Sequence, residues 1–130
     1  MKATWSFTAV TEDDWCVITN ENAVDSASAD KVRMDYAVFA EDKLPTIQKP
    51  KVTVFRESDR VSTYLYAIVA GPFDYFEKNV AGLPEMKIYA RKTVMADLAL
   101  MKDEMFMVTE CGMHFYKEFF GKAYPFRKYD

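Results

Sequence analysis

The longest helical pattern in the chain covers residues 97–121, with the sequence DLALMKDEMFMVTECGMHFYKEFFG. A polar stripe follows one side of this pattern, formed by Asp103, Glu110, His114 and Lys117. Nearly all other positions are apolar, which is a wider apolar surface than an ordinary surface helix carries. Gly121 is the natural C-cap, and Pro125 prevents continuation. The pattern predicts one long helix with neighbours on more than one side.

The chain before the helix alternates with the two-residue period of β-strands. The predicted strands are residues 2–10, 15–19, 32–38, 52–56, 64–70 and 86–91, and residues 73–77 continue as extended chain. Polar or proline-bearing connections are predicted at residues 11–14, 20–30 and 41–50. The segment 64–70 is apolar on both faces, which predicts cover on both sides. The order predicts an α+β fold of mostly antiparallel β followed by a strand and one long helix.

Composition restricts the function further. The chain has 130 residues and a formal net charge of -3, so it lacks the basic surplus expected of a nucleic-acid binder. Its longest uncharged run, residues 61–73, is too short to span a membrane, which takes roughly 20 residues. We expect no signal peptide, because the first residues lack an apolar stretch, and no disulfide framework from Cys16 and Cys111. We expect a cytoplasmic protein.

Several blocks of the sequence are similar to one known family. They are KATWSFTAV (2–10), VTVFRES (52–58), STYLYAIVAGPFDY (62–75), MKIYARK (86–92) and FYKEFFGKAYPFRKYD (115–130). In order and spacing they resemble the zinc aminopeptidase family of aminopeptidase N and puromycin-sensitive aminopeptidase. The resemblance covers nearly the whole chain. Its most specific blocks are residues 62–75 and residues 115–130, and the second of them ends the sequence.

The resemblance implies a division of the chain. Residues 1–77 resemble the C-terminal half of the family's saddle-like N-terminal β-domain, and residues 78–84 resemble a linker. Residues 85–130 resemble the first strand and helix of a truncated thermolysin-like catalytic domain. The aromatic end at Tyr129-Asp130 is what a chain cut from a longer protein would show.

The resemblance also implies what this chain lacks. In the family, zinc polarises the scissile carbonyl and a glutamate activates water, so that N-terminal residues are removed from peptides. The family's HExxH zinc motif and its GAMEN loop are absent here, and a single histidine, His114, cannot form HExxH. We therefore predict no catalytic, metal or substrate-binding residue, no cofactor in this chain, and no activity of the chain alone.

The apolar surface of the helix predicts a packing role instead. The candidate packing or interface residues are Phe106, Met113, Tyr116, Phe119 and Phe120. The partners expected are the remainder of the aminopeptidase chain or other protein chains, with no nucleic acid and no membrane span.

Two chemical alternatives exist on the same helix. His114 lies four residues from both Glu110 and Glu118, a spacing that could hold a metal ion. Cys111 lies three residues before His114, so a thiolate–imidazole pair is possible. The simpler interpretation is a solvated stripe with modest charge pairing and an inert cysteine.

Three functional interpretations follow. The first is a non-catalytic scaffold segment of a zinc-dependent aminopeptidase. The second is a structural or interaction subunit, derived from an aminopeptidase that lost its catalytic half and packing in a larger assembly. The third is a free-standing β-rich binding domain. The third is disfavoured because the helix would leave several aromatic side chains in water.

Overall fold

The computed structural model of the protein describes residues 1–27 and 47–130. In these ranges it has ten β-strands, two short 3-10 turns and one long α-helix, which confirms the predicted α+β class. All described strand pairs are antiparallel except one. The chain forms two compact units, unit 1 with residues 1–71 and unit 2 with residues 72–130.

Unit 1 is built around strand β5, Pro50–Phe55. This strand lies between β2 (Thr8–Glu12) and β4 (Ala23–Ala27) and is antiparallel to both. Val52 is fully buried, and Ala9 on β2 is also part of the core. Burial does not simply alternate along β5, as is expected for a strand that is covered on both faces.

Two shorter strand pairs complete unit 1. Strand β1 (Lys2–Ala3) pairs with β6 (Val61–Ser62), and β3 (Cys16–Thr19) pairs with β7 (Ile68–Gly71). A 3-10 turn at Thr63–Leu65 joins β6 to the chain that leads into β7. Both pairs connect residues that are distant in sequence, so they hold the two ends of the unit together.

An aromatic cluster packs within unit 1. The rings of Trp5 and Tyr66 are stacked with centroids 4.8 Å apart, and Phe7 meets Tyr66 edge-on at 6.5 Å. Phe7 also contacts Phe55, with centroids 5.8 Å apart. Offset and edge-on arrangements are the favoured geometries of aromatic pairs. Burial in this cluster raises the pKa of the Tyr66 hydroxyl.

The prediction of one strand over residues 2–10 is wrong, because residues 4–7 are not part of a ladder. The Trp5 N–H donates to Ser58 Oγ at 3.0 Å, and the Ser58 N–H donates to the Trp5 carbonyl at 2.9 Å. The buried Ser58 hydroxyl thus takes the place of a backbone acceptor and interrupts the regular pairing.

Other differences concern the middle of unit 1. The loop predicted at residues 20–30 contains β4, because this polar segment gains a full partner in β5. The strand predicted at residues 64–70 begins only at Ile68. Within unit 1, Ile68, Val69 and Ala70 are exposed, so the predicted cover on both sides is not present there. The strands predicted at 15–19 and 52–56 are confirmed. The strand predicted at residues 32–38 lies outside the described residues.

Unit 2 places a helix on a small sheet. Its central strand β9 (Glu85–Arg91) is antiparallel to β8 (Phe73–Lys78) and parallel to the short β10 (Lys128–Tyr129). Helix α1, Met95–Phe120, packs against β8 and β9. Met86 on β9 is only 1% exposed and forms the centre of this small core.

Helix α1 ends as its sequence predicts. Gly121 adopts the left-handed conformation with φ of 61°. Its N–H donates to the Glu118 carbonyl, and the Lys122 N–H donates to the Lys117 carbonyl. These bonds satisfy carbonyls that a helix end leaves open, and a residue with a Cβ would be strained at this φ.

The two units divide the chain between Gly71 and Pro72. Residues 79–84, within the predicted linker, connect β8 to β9 as the loop of an antiparallel hairpin, and Gly82 adopts a positive φ of 82° there. The connection therefore lies inside unit 2. The assignment of residues 1–77 to the family's β-domain and of residues 85–130 to its catalytic domain stays a prediction.

The side chain of Asn20 replaces a piece of strand pairing in unit 1. Its Nδ2 donates to the Leu65 carbonyl at 2.9 Å, and its Oδ1 accepts from the Ala67 N–H at 2.8 Å. One amide thus supplies both a donor and an acceptor to the backbone, as an extended peptide would. The bonds fix the segment that leads into β7 beside the end of β3.

Replacing Asn20 by alanine is expected to destabilise unit 1 by about 1–2 kcal/mol, since two hydrogen bonds are lost. Both tryptophans of the chain, Trp5 and Trp15, lie in unit 1, so urea unfolding followed by tryptophan fluorescence reports on this unit. Asn79→Ala, at an exposed position of unit 2, is the matched control. An unchanged midpoint for Asn20→Ala would contradict the assigned role.

Candidate functional site

One face of helix α1 packs inside unit 2. This inner face consists of the less exposed positions Met95, Leu98, Lys102, Phe106, Thr109, Glu110 and Met113. Phe106 is its most buried member, at 4% exposed, and it is the only residue of the helix that is fully buried. Two of the seven positions carry charged side chains, so the inner face is not uniformly apolar.

Glu110 is held by a partner on the hairpin. The Nζ of Lys78, at the end of β8, lies 2.7 Å from Glu110 Oε2. The hydrogen bond from Lys78 lowers the pKa of the Glu110 carboxyl, and the charge of His114 adds to this effect. The other three members of the polar stripe, Asp103, His114 and Lys117, are exposed as predicted, whereas Glu110 joins the helix to the hairpin.

Lys102 is accommodated by different contacts. Its Nζ lies 5.6 Å from the centroid of the Phe76 ring on β8 and 2.7 Å from the Asp103 carboxylate. A cation over an aromatic face is attracted by the ring quadrupole. The alkyl stem of a lysine can cover apolar surface while its charged end stays near water.

A second line of side chains along α1, beside the inner face, is apolar and exposed. This outer seam is formed by Met101, Met105, Val108, Gly112, Phe115 and Phe119. Its five side chains larger than glycine are between 40% and 70% exposed. The helix thus buries Phe106 toward its own unit and leaves a second line of large apolar side chains in water, which is unusual in a globular domain.

Gly112 lies in the middle of this seam. Glycine in a helix interior is about 1 kcal/mol less favourable than alanine. A Cβ built at Gly112 would meet nothing within 4 Å outside the helix backbone. Nothing in the described part of the chain therefore requires a glycine at this position.

The five residues predicted as packing or interface positions separate into two groups. Phe106 is buried and Met113 is partly buried, both on the inner face. Tyr116, Phe119 and Phe120 are each more than half exposed, and Tyr116 stacks on Phe120 with centroids 5.8 Å apart. Phe119 belongs to the outer seam. The other seam residues, Met101, Met105, Val108 and Phe115, were not predicted as interface positions, although their spacing with Gly112 and Phe119 indicates a seam.

The described residues offer no metal centre. No group of three or more His, Cys, Asp or Glu side chains that could hold a metal ion is found in residues 1–27 and 47–130. Glu110, which with His114 and Glu118 could have held a metal ion, instead pairs with Lys78. Since the whole chain has one histidine, these residues do not fit a family zinc site.

A shallow pocket of about 350 Å³ lies in unit 2, next to the end of the helix. Its lining residues are Gly82, Leu83, Pro84, Met113, Lys117, Ala123, Tyr124, Phe126 and Arg127. Tyr124 contacts the rings of Phe126 and Tyr129, and burial raises the pKa of its hydroxyl. The lining is mostly apolar, and its charged members are Lys117 and Arg127. It contains neither a nucleophile–base pair nor a set of metal ligands.

No helix in the described ranges is both long and apolar enough to cross a membrane. No protein-family model matches the chain.

The curated relatives that the chain matches are nevertheless all aminopeptidases. The chain is 30% identical to aminopeptidase N of Streptomyces lividans over 135 aligned residues, which cover 100% of this chain and 13% of that protein. It is 34% identical to aminopeptidase M1-C of Oryza sativa subsp. japonica over 65% of this chain and 9% of the relative. Human aminopeptidase N is 32% identical over 67% of this chain and 9% of its own length.

The chain is thus similar to one segment of these aminopeptidases and spans only about a tenth of the length of the curated relatives it matches. The predicted resemblance to the aminopeptidase N family is therefore confirmed. The seam on α1, and not a catalytic centre, is the feature of the described residues that calls for a functional explanation.

Replacing Glu110 by glutamine is expected to destabilise helix α1 slightly at pH 7. Because the pKa of Glu110 is lowered in the folded chain, its contribution is present above the unfolded-state pKa of about 4.3. That contribution is lost as the pH falls through the lower folded-state pKa. The difference between wild type and Glu110→Gln should therefore vanish in acid.

Helical circular dichroism measures this effect, because the one α-helix among the described elements lies in unit 2. Glu104→Gln is the control, since it changes an exposed carboxylate at mid-helix. If thermal unfolding shows the same pH dependence for Glu110→Gln as for wild type, the pairing with Lys78 contributes nothing to stability.

Proposed function

We propose that this chain is a non-catalytic scaffold segment of a zinc-dependent aminopeptidase that removes N-terminal residues from peptides. The observation that carries the proposal is the match of the entire chain to 13% of the aminopeptidase N of Streptomyces lividans. In this proposal, zinc and the groups that act on the substrate come from polypeptide outside this chain. The single histidine and the Lys78-paired Glu110 support that assignment.

Two structural features support a scaffold role. Unit 1 is a set of strand pairs whose members lie far apart in the sequence, which suits a rigid support. Unit 2 exposes Phe115 and Phe119 along with the rest of the outer seam. Exposed apolar patches of this kind mark surfaces that another polypeptide covers.

The exposed thiol of Cys111 favours a reducing, cytoplasmic location for the parent enzyme.

A segment exchange tests the proposal. The segment of the Streptomyces lividans aminopeptidase N that matches this chain is replaced by residues 1–130, and hydrolysis of leucine para-nitroanilide is measured with and without a zinc chelator. We expect the chimera to be active and sensitive to the chelator, and the isolated 130-residue chain to be inactive. A second chimera that exchanges only residues 72–130 limits the change to unit 2.

Each result bears on the proposal. Turnover by the isolated chain would refute a non-catalytic role. Two chimeras that fold and lack activity would favour the alternative of a structural subunit whose catalytic half was lost. A deletion of the matched segment without replacement is the negative control, and it should abolish soluble, active enzyme.

A further inference from the structure

The outer seam of α1 has the spacing of a helix–helix contact. From Met101 to Phe119 its six positions are separated by four, three, four, three and four residues. This is the a/d pattern of a heptad, which keeps one line of side chains facing a second helix. A β-strand presents side chains with a period of two and would not follow this line.

Gly112 gives the seam a gap at its centre. Its neighbours along the seam, Val108 and Phe115, are 62% and 58% exposed, so large side chains border an open position. A glycine between large residues allows another backbone or a bulky side chain to approach the helix closely. No described residue of this chain contacts this gap, so we expect a partner to fill it.

Acidic residues follow one flank of the seam. Asp97, Glu104 and Glu118 are exposed, and with Cys111 they recur every seven residues beside the seam. The two lysines of the helix lie elsewhere, with Lys102 on the inner face and Lys117 at the pocket. An antiparallel second copy of this chain would place acid against acid. Charge therefore favours a partner with basic residues along the facing edge.

We infer that the outer seam is the docking surface for an apolar helix with a basic flank, contributed by the remainder of the aminopeptidase polypeptide and crossing α1 at Gly112. The inference rests on the proposed function. The relatives offer the source of such a helix, since the matched segment is 13% of the Streptomyces lividans protein and 9% of the human one. Most of the polypeptide that could cover the seam thus lies outside this chain.

The test compares Gly112 variants in two contexts, the isolated chain and the active chimera described above. In the isolated chain, Gly112→Ala should raise the thermal midpoint by about 4 °C, because alanine favours the helix and meets no neighbour. Gly112→Leu should behave similarly there. In the chimera, Gly112→Leu should lower the midpoint by several degrees and remove most of the activity, because its side chain fills the crossing point.

The alanine and leucine variants differ mainly in bulk, since their helix propensities are close. Ala96→Leu, an exposed position of the same helix away from the seam, is the control and should leave the chimera unchanged. Glu104→Lys should destabilise the chimera more than the isolated chain, because it reverses a charge on the acidic flank.

Opposite signs for Gly112→Leu in the two contexts are the expected signature. If the wild-type chimera is active and Gly112→Leu matches Ala96→Leu there, the inference fails while the proposed function stands. If both wild-type chimeras fold and are inactive, the proposed function fails and the inference with it. A dimer of the isolated chain in sedimentation velocity, lost in Gly112→Leu, would assign the seam to a second copy instead.

Discussion

Burial of Phe106 against the hairpin of unit 2 determines how helix α1 is rotated about its axis. Once this ring is placed inside, the positions one turn away, Lys102 and Glu110, must lie on the same side. The hairpin meets them with an aromatic ring at Phe76 and an ammonium group at Lys78. The same rotation leaves Phe115 and the rest of the outer seam in water.

The parts of the fold that follow from local chemistry could be predicted from the sequence. The end of α1 at Gly121 follows from a residue that tolerates positive φ, and β3 and β5 follow from dense β-forming segments. The strand β4 could not be predicted, because alanine and aspartate, which make up three of its five residues, are poor strand formers and become a strand only through pairing with β5. The break at residues 4–7 likewise depends on Ser58, more than fifty residues away.

The candidate site was predicted in part. A broad apolar helix that needs additional cover was recognisable from its composition. The rotation of that helix could not be predicted, because Glu110 forms its ion pair with a residue 32 positions earlier. Of the predicted packing residues, Phe106 lies in the interior of the unit, whereas Phe119 lies on the outer seam. Sequence alone contains the heptad spacing but does not reveal which line of side chains its own unit covers.

The exposed seam also has a consequence for biosynthesis. A helix that folds on its hairpin while Phe115 and Phe119 still face water is adhesive toward any other unfinished chain. If the seam is covered as proposed, the interval between formation of unit 2 and arrival of the covering helix is the period in which this polypeptide is most prone to aggregate. Chaperones that bind exposed apolar segments would act on the chain during that interval, and the order in which the polypeptide is made sets how long it lasts.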